Sequence, residues 1–426
     1  MKNLKLTIEL KTKTLREQFP KDECFNHVSL KLIGRLSDED LRFLNGYSEH
    51  YEVDEDTGEE LYHHEKFRWN TLDLDLSEAT FDLCEFDQKE LLNNNTLRFF
   101  VLPKDQENVK WKVGWFNNNT CNITSLEVSE GTKVIKEDSF CECRFLKKVM
   151  LPSTLEKIAP EAFVGCSSLQ SFDFPNGSEY FVARDNVLFS PDRSILIAFP
   201  PGLRIEKYEI PQGTTLVAES AFKQNPYLKE VVIPASVVQI QDYAFENCAS
   251  LEKIEVDSAN PVYYSRHGAL LEKNVWIFAP YQDMYIEERR DKMICVPAAN
   301  TKPNLKIQNI ALAARCFSGC NNAKSISYNS GFYPHRIDGA FDRCRNIEEI
   351  NLTNVEVLPR FIDCWKLKKL NINGNFAGNF EYSLCRNDEL AEINIEDNSE
   401  YITIEGVVYN KNHELIFYPP AKDDIK

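Results

Sequence analysis

One short phrase recurs along this chain, and the recurrence limits its fold more than any other property. "VIKEDSFCECRFLKKVMLP" begins at Val134, "KIAPEAFVGCSSLQSFDFP" at Lys157, "LVAESAFKQNPYLKEVVIP" at Leu216 and "QIQDYAFENCASLEKIEV" at Gln239. Looser copies follow as "LAARCFSGCNNAKSISY" from Leu312, "RIDGAFDRCRNIEEINL" from Arg336, "LPRFIDCWKLKKLNI" from Leu358 and "FEYSLCRNDELAEINI" from Phe380. Phe140 to Phe163 and Phe222 to Phe245 are each 23 positions apart, Phe317 to Phe341 is 24, and Cys344, Cys364 and Cys385 follow at 20 and 21. A fixed period between about 20 and 50 residues marks a solenoid or a propeller, and a propeller blade takes about 40 or more. The solenoid is the better match.

Each copy reads C-x-x-L-x-x-I-x-L-P, then a second apolar pair, then A-F. Leu, Ile and Leu at spacings of three and two suit a short strand leaving a turn with its apolar side chains inward. Pro152, Pro175, Pro211 and Pro234 close the strands, because proline cannot donate to a ladder. One coil cannot hide its apolar side, but stacking buries about six side chains per coil at roughly 1.5 to 3 kcal/mol each. Seven of the thirteen cysteines (Cys143, Cys166, Cys248, Cys320, Cys344, Cys364 and Cys385) fall at one repeat position and are expected to form a column of buried thiols.

The pattern of "EAFVGCSSLQSFDFP" and "DYAFENCASLEKIEV" resembles the BspA-like type of leucine-rich repeat, found in bacterial and protist proteins, from about residue 126 to the C-terminus. Three insertions, near 179–201, 262–281 and 400–420, are similar to the hairpin coils that interrupt such repeats, and alternating apolar residues around "SPDRS" and "NKNHE" turns independently suggest hairpins. The N-terminal part, residues 1–125, is read as a cap with degenerate repeats. "HVSLKLIGRLSDEDLRFLNG" is a strand followed by a helix with Ser37 as N-cap and Asp40 in its first turn, "WNTLDLDLSEATF" is a further strand, and "LRFFVLP" and "CNITSLEV" are strands of degraded coils. "YEVDEDTGEE" (Tyr51 to Glu60) reads as a mobile acidic loop. The expected fold is a leucine-rich repeat solenoid. It has a curved parallel β-sheet, short strands and 3-10 turns on the outer side, inserted β-hairpin coils and a small α/β N-terminal cap, with the repeats proper at 126–426.

Composition narrows the function. The 426 residues carry a formal charge of -17, which argues against nucleic acid and anionic membrane surfaces as general partners. The longest apolar runs, such as "SILIAF", fall far short of the roughly 20 residues of a bilayer span. "MKNLKLTIELKTKTLREQFP" lacks the continuous apolar core of a secretory leader, so a cytoplasmic location is expected if Met1 is the native start, whereas the resemblance implies surface display or secretion.

No reactive constellation stands out. The seven histidines do not recur beside a Ser or Cys, "HHE" at His63 and "CEC" at Cys141 lack paired zinc spacing, and Gly374 and Gly378 in "NGNFAGNF" lack the Lys-Ser/Thr of a phosphate loop. No cofactor or metal is therefore expected. Thirteen cysteines cannot all pair, and a column of thiols already accounts for seven. Glycosylation triplets at Asn94 to Thr96 and Asn118 to Thr120 arise readily in so asparagine-rich a chain.

What the repeat leaves free is surface. Residues between the inward Leu, Ile and Leu face the other side of the sheet, so Lys147, Lys148 and Met150 are expected beside Gln170, Ser171 and Asp173. Further copies add Lys229, Glu230 and Val232, then Glu252, Lys253 and Glu255, then Glu348, Glu349 and Asn351, then Lys368, Lys369 and Asn371, to one continuous concave face of mixed charge. Such a face typically holds protein partners. Exposed Tyr263, Tyr264 and Trp276 on the middle insertion are a second candidate. The resemblance implies a non-enzymatic adhesion protein that binds host or bacterial surface proteins; an intracellular scaffold and an enzyme with an unrecognised site are the alternatives.

Overall fold

A computed structural model describes residues 2–11, 13–20, 24–44, 49–53, 60–64, 69–81, 97–101, 123–137, 139–281, 284–320, 322–331, 337 and 339–422. Two compact units, Met1–Leu203 and Arg204–Lys426, divide the chain.

The first unit is built on one seven-stranded parallel sheet whose strands follow chain order: Lys2–Leu10, Phe25–Leu36, Trp69–Phe81, Leu97–Val101, Ser125–Glu127, Lys148–Met150 and Ser171–Asp173. Helices Leu15–Gln18 and Asp38–Leu44 make the early crossovers. Ser37 caps the second as the sequence predicts: its Oγ accepts from the Asp40 N–H at 3.3 Å and donates to Asp40 Oδ2 at 2.7 Å. Buried Asp40 also accepts from the Leu15 N–H at 2.6 Å, tying one helix start to the other. The ends of the expected acidic loop are instead paired, in an antiparallel hairpin of Glu49–Val53 with Glu60–His64. The alternating Tyr and Val of "HYEV" support that pairing. Residues 54–59 and both glycosylation triplets lie outside the described residues.

In the second unit, Lys207–Glu209, Glu230–Ile233 and Lys253–Val256 form a three-stranded parallel sheet, and Asn304–Gln308, Ser325–Asn329, Glu349–Thr353, Lys369–Asn373 and Glu392–Glu396 form a five-stranded one. Short parallel pairs face them across the coils: Val134–Ile135 with Lys157–Ile158 in the first unit, Leu216–Val217 with Gln239–Ile240 in the second. Among the described residues no helix is long and apolar enough to cross a membrane.

The predicted aromatic spine is present in each unit. Phe140 stacks on Phe163 at 5.2 Å, Phe222 on Phe245 at 5.1 Å and Phe317 on Phe341 at 5.3 Å, with Phe361 next at 5.6 Å. Two residues beyond each phenylalanine the chain turns through positive φ, at Glu142, Gly165, Gln224, Asn247, Gly319, Arg343 and Asp363. That turn delivers the next cysteine to the core. Thiols of Cys166, Cys248 and Cys364 each donate to the carbonyl of the preceding coil's phenylalanine (Phe140, Phe222 and Phe341) at 3.0 Å, and Cys344 donates to Phe317 at 3.5 Å. Coil is thereby linked to coil.

Cys385 departs from expectation: it is exposed, while the other six cysteines of the predicted column are buried. The left-handed turn falls at Arg386, so buried Leu384 takes the phenylalanine's place and buried Asn387 the cysteine's. Asn225 does the same in its coil, its Oδ1 accepting from the Tyr227 and Leu228 N–H groups at 3.0 and 2.8 Å.

All three insertions are hairpin coils with one strand more than predicted: Val182–Arg184, Val187–Phe189 and Ile195–Ala198, then Tyr263–Arg266, Ala269–Tyr281 and Met284–Cys295, then Tyr401–Ile404, Val407–Asn410 and Leu415–Phe417. The middle one runs past its predicted end at residue 281 as a long ribbon to Cys295. Its first turn needs Gly268, and that of the last Gly406, both at φ +81: a Cβ there would meet Lys253 Cβ at 3.1 Å and Glu392 Cγ at 2.9 Å.

Candidate functional site

Parallel pairing places the outward side chains of neighbouring coils side by side. In the first unit Ser171 lies opposite Lys148 and Asp173 opposite Met150, while the Gln170 N–H reaches the Lys147 carbonyl at 2.9 Å. Lys148 crosses diagonally to Asp173 at 2.5 Å. In the second unit Glu230 lies opposite Lys253 and Val232 opposite Glu255, and the Glu252 N–H bonds to the Lys229 carbonyl. In the five-stranded sheet Glu349 faces Lys369 and Asn351 faces Asn371, with Lys368 bonded to the Glu348 carbonyl. Each predicted pair of triplets is thus brought together within its own unit.

The chemistry differs between the two sheets of the second unit. On the three-stranded sheet Glu230 sits between Lys207 at 3.3 Å and Lys253 at 3.0 Å. The Lys253 hydrogen bond is the main reason its carboxyl titrates below the usual range, and Lys253 is correspondingly raised, mainly by Glu230. Lys229 adds a pair with Glu206 at 2.8 Å. The lysines and Glu206 are exposed and Glu230 is half-buried, so these pairs define a charge pattern and contribute little stability.

On the five-stranded sheet the centre is a row of amides. Asn371 donates to Asn351 Oδ1 at 2.6 Å and Asn394 donates to Asn371 Oδ1 at 2.9 Å, while Asn351 reaches Ser327 Oγ at 3.3 Å. Charges flank it: Glu348 takes Lys324 at 2.8 Å and Lys368 at 3.5 Å, and Lys369 takes Glu392 at 3.0 Å. Glu206, Lys207, Lys324, Ser327, Glu392 and Asn394 belong to these rows but are missing from the predicted set. Their signal was the same register in "RIEKYEI", "NAKSISY" and "LAEINI".

The hairpin aromatics divide. Tyr263 is buried, contrary to expectation, because its hydroxyl turns inward to accept from the Ile240 N–H at 2.9 Å. Tyr264 is half-buried and donates to Asp291 Oδ2 at 2.7 Å, whereas Trp276 is 55% exposed beneath the Arg289 guanidinium. A further cluster escaped sequence reading: the Glu246 carboxylate, buried, holds Lys223 at 2.9 Å and Arg315 and Arg343 at 3.2 Å each, with Arg315 over the Tyr243 ring. It joins coils far apart in sequence. A buried carboxylate so surrounded is a structural tie, satisfied at each oxygen.

The rows repeat with the coils, and so does a family signature. The model of the BspA type leucine-rich repeat region matches six copies at residues 92–189, 197–266 and 299–415, well over half of the chain. The chain belongs to the BspA-type leucine-rich repeat family. Proteins of this family are typically non-catalytic, and the fold commonly mediates protein–protein binding.

Several solved structures resemble this family member. A leucine-rich repeat protein from Eubacterium ventriosum is 20% identical, with 76% of this chain and 86% of that chain covered and a TM-score of 0.42. A leucine-rich cell surface protein from Faecalibacterium prausnitzii is 19% identical, covering 71% and 83%, with a TM-score of 0.40. The pneumococcal vaccine antigen PcpA is 15% identical over 89% and 90%, with a TM-score of 0.36. No curated protein sequence matches the chain.

Proposed function

We propose that the chain is a non-enzymatic binding protein of the adhesion type, which holds a protein partner on the outward rows of its parallel sheets. The observation that carries this reading is the in-register row Lys207, Glu230 and Lys253 beside Glu255 and Lys229, a fixed pattern of alternating charge that adds little to stability and is available for recognition. Lys147, Lys148, Met150, Gln170, Ser171 and Asp173 in the first unit, and Glu348, Glu349, Asn351, Lys368, Lys369 and Asn371 in the second, are proposed to act in the same way. A second reading, an intracellular scaffold, draws on the thiols that donate to neighbouring coils, which an oxidising compartment would put at risk.

The test is capture of purified host and bacterial extracellular proteins, in parallel with cytosolic ones, by the full chain and by the Lys229→Ala/Lys253→Ala variant. A reproducible extracellular partner whose retention drops at least tenfold in the variant supports adhesion. A cytosolic partner instead supports the scaffold. No reproducible partner in either set overturns both.

A further inference from the structure

The five-stranded sheet of the second unit begins with an open edge. Ser325 N–H bonds to the Pro303 carbonyl and Asn309 N–H to the Asn329 carbonyl, both at 3.1 Å, and Asn304 to Gln308 pair in parallel register with Ser325 to Asn329. In a parallel ladder the backbone groups of alternate residues point to opposite edges. The odd residues therefore face Ser325–Asn329, and the N–H and C=O groups of Asn304, Lys306 and Gln308 face away from it. Among the described residues no backbone group pairs with them.

The insertion explains why. The coil that would supply the preceding strand is the hairpin coil, and its Gly268 carbonyl accepts the Ile254 N–H at 2.9 Å, pinning that turn against Lys253–Val256. Between the turn and the open edge lies a cleft of about 590 Å³, within the range of about 300 to 1,000 Å³ that suits bound ligands. Leu271, Leu305 and Ile307 are buried in its floor, and Arg266, Lys302 and Lys306 stand on its rim. Among the described residues no carboxylate lines it, on a chain whose formal charge is -17.

We infer that this edge receives an extended segment of the protein partner as an added strand, one in which acidic and apolar side chains alternate. The inference rests on the protein-binding reading and gives it a mode of recognition. At about 3.3 Å per residue the edge accommodates roughly five residues. Main-chain hydrogen bonds to Asn304, Lys306 and Gln308 supply affinity; alternate side chains point down to the apolar floor and out beside the cations, supplying specificity. A lysine on an edge strand is also a common guard against unwanted pairing, but a guard alone would not call for an apolar floor beside a polar rim whose charged side chains are all cations.

Panning a random heptapeptide phage library on the full chain tests this. Enriched peptides are expected to alternate acidic and apolar residues, to slow hydrogen exchange at the Lys306 and Gln308 amides, and to bind at least tenfold more weakly when alternate peptide amides are N-methylated. Lys306→Glu, at an exposed position and with an unchanged circular dichroism spectrum, should weaken them at least tenfold. Lack of enrichment, or binders indifferent to both changes, overturns the inference. So does concentration-dependent dimerisation that protects the same amides, which would give the edge to a second copy. Loss of the edge peptides with partner capture intact and insensitive to Lys306→Glu removes this mode alone, whereas loss of capture removes the protein-binding reading.

Discussion

The inner and outer faces of the second unit's strands are produced by the same repeat and obey different rules. Inside, Phe317, Phe341 and Phe361 stack at 5.3 and 5.6 Å, and Ile350, Leu370 and Ile393 follow one another in register with almost no exposure. Outside, equivalent positions hold Glu209, Val232 and Glu255 on one sheet but Asn351, Asn371 and Asn394 on the other. Volume and shape restrict the inner column, where each side chain touches the next coil on both sides. The outer rows need only stay compatible with water, so their chemistry is free to follow a partner.

The largest expected effect comes from attacking the inner column. Phe341→Ala removes a fully buried ring between two others and should lower stability by about 3–5 kcal/mol in urea unfolding, whereas Lys369→Ala on the facing side should leave the midpoint nearly unmoved. Equal losses from the two would erase the distinction between the faces. Next in size is the hairpin turn on the sheet. Gly406→Ala at φ +81, with its new Cβ 3.2 Å from Glu392 Cα, should cost about 1–3 kcal/mol, and a neutral result would mean that the turn is not pinned there.

Thiol chemistry separates the faces without mutation. Iodoacetamide should modify exposed Cys24 and Cys385 in the folded protein and reach Cys248 only on unfolding, because burial pushes the Cys248 thiol up to about 12. Since the folded thiol titrates above its ordinary value of 9.0, its contribution to stability is complete below about pH 9 and is lost as pH rises toward about 12. The smallest effect is expected outside. Glu230 titrates below 4.5 when folded, so whatever it contributes is present above that pH and fades as pH falls through its lower folded value. Glu230→Gln should leave the unfolding midpoint unchanged near neutral pH while weakening partner retention, a split that sharpens the contrast between the faces.

The period of 20 to 24 residues made the coils, the aromatic spine and the outward triplets legible, because one inward register recurs with enough copies to set the strands. Cys385 misled because its spacing of 21 from Cys364 looked regular, whereas the coil is indexed by the turn two residues after the ring; Leu390, three residues after Asn387, was the better guide. Tyr263 looked like an exposed aromatic because a hydroxyl that reaches inward to a backbone N–H leaves no periodic trace. The cation-rimmed cleft was invisible for a similar reason. Its rim residues are scattered between Arg266 and Lys306, and only the docking of the Gly268 turn assembles them.

The thiol–carbonyl links between successive coils also bear on how the protein would respond to tension. Cys364 holds Phe341 and Cys344 holds Phe317, so each of these links joins a coil to its immediate neighbour. Stretched from its ends, such a unit would unravel coil by coil, like stitches dropped from knitting. Each released coil of 23 residues, the distance from Phe140 to Phe163, would pay out roughly 80 Å of chain and act as a small shock absorber.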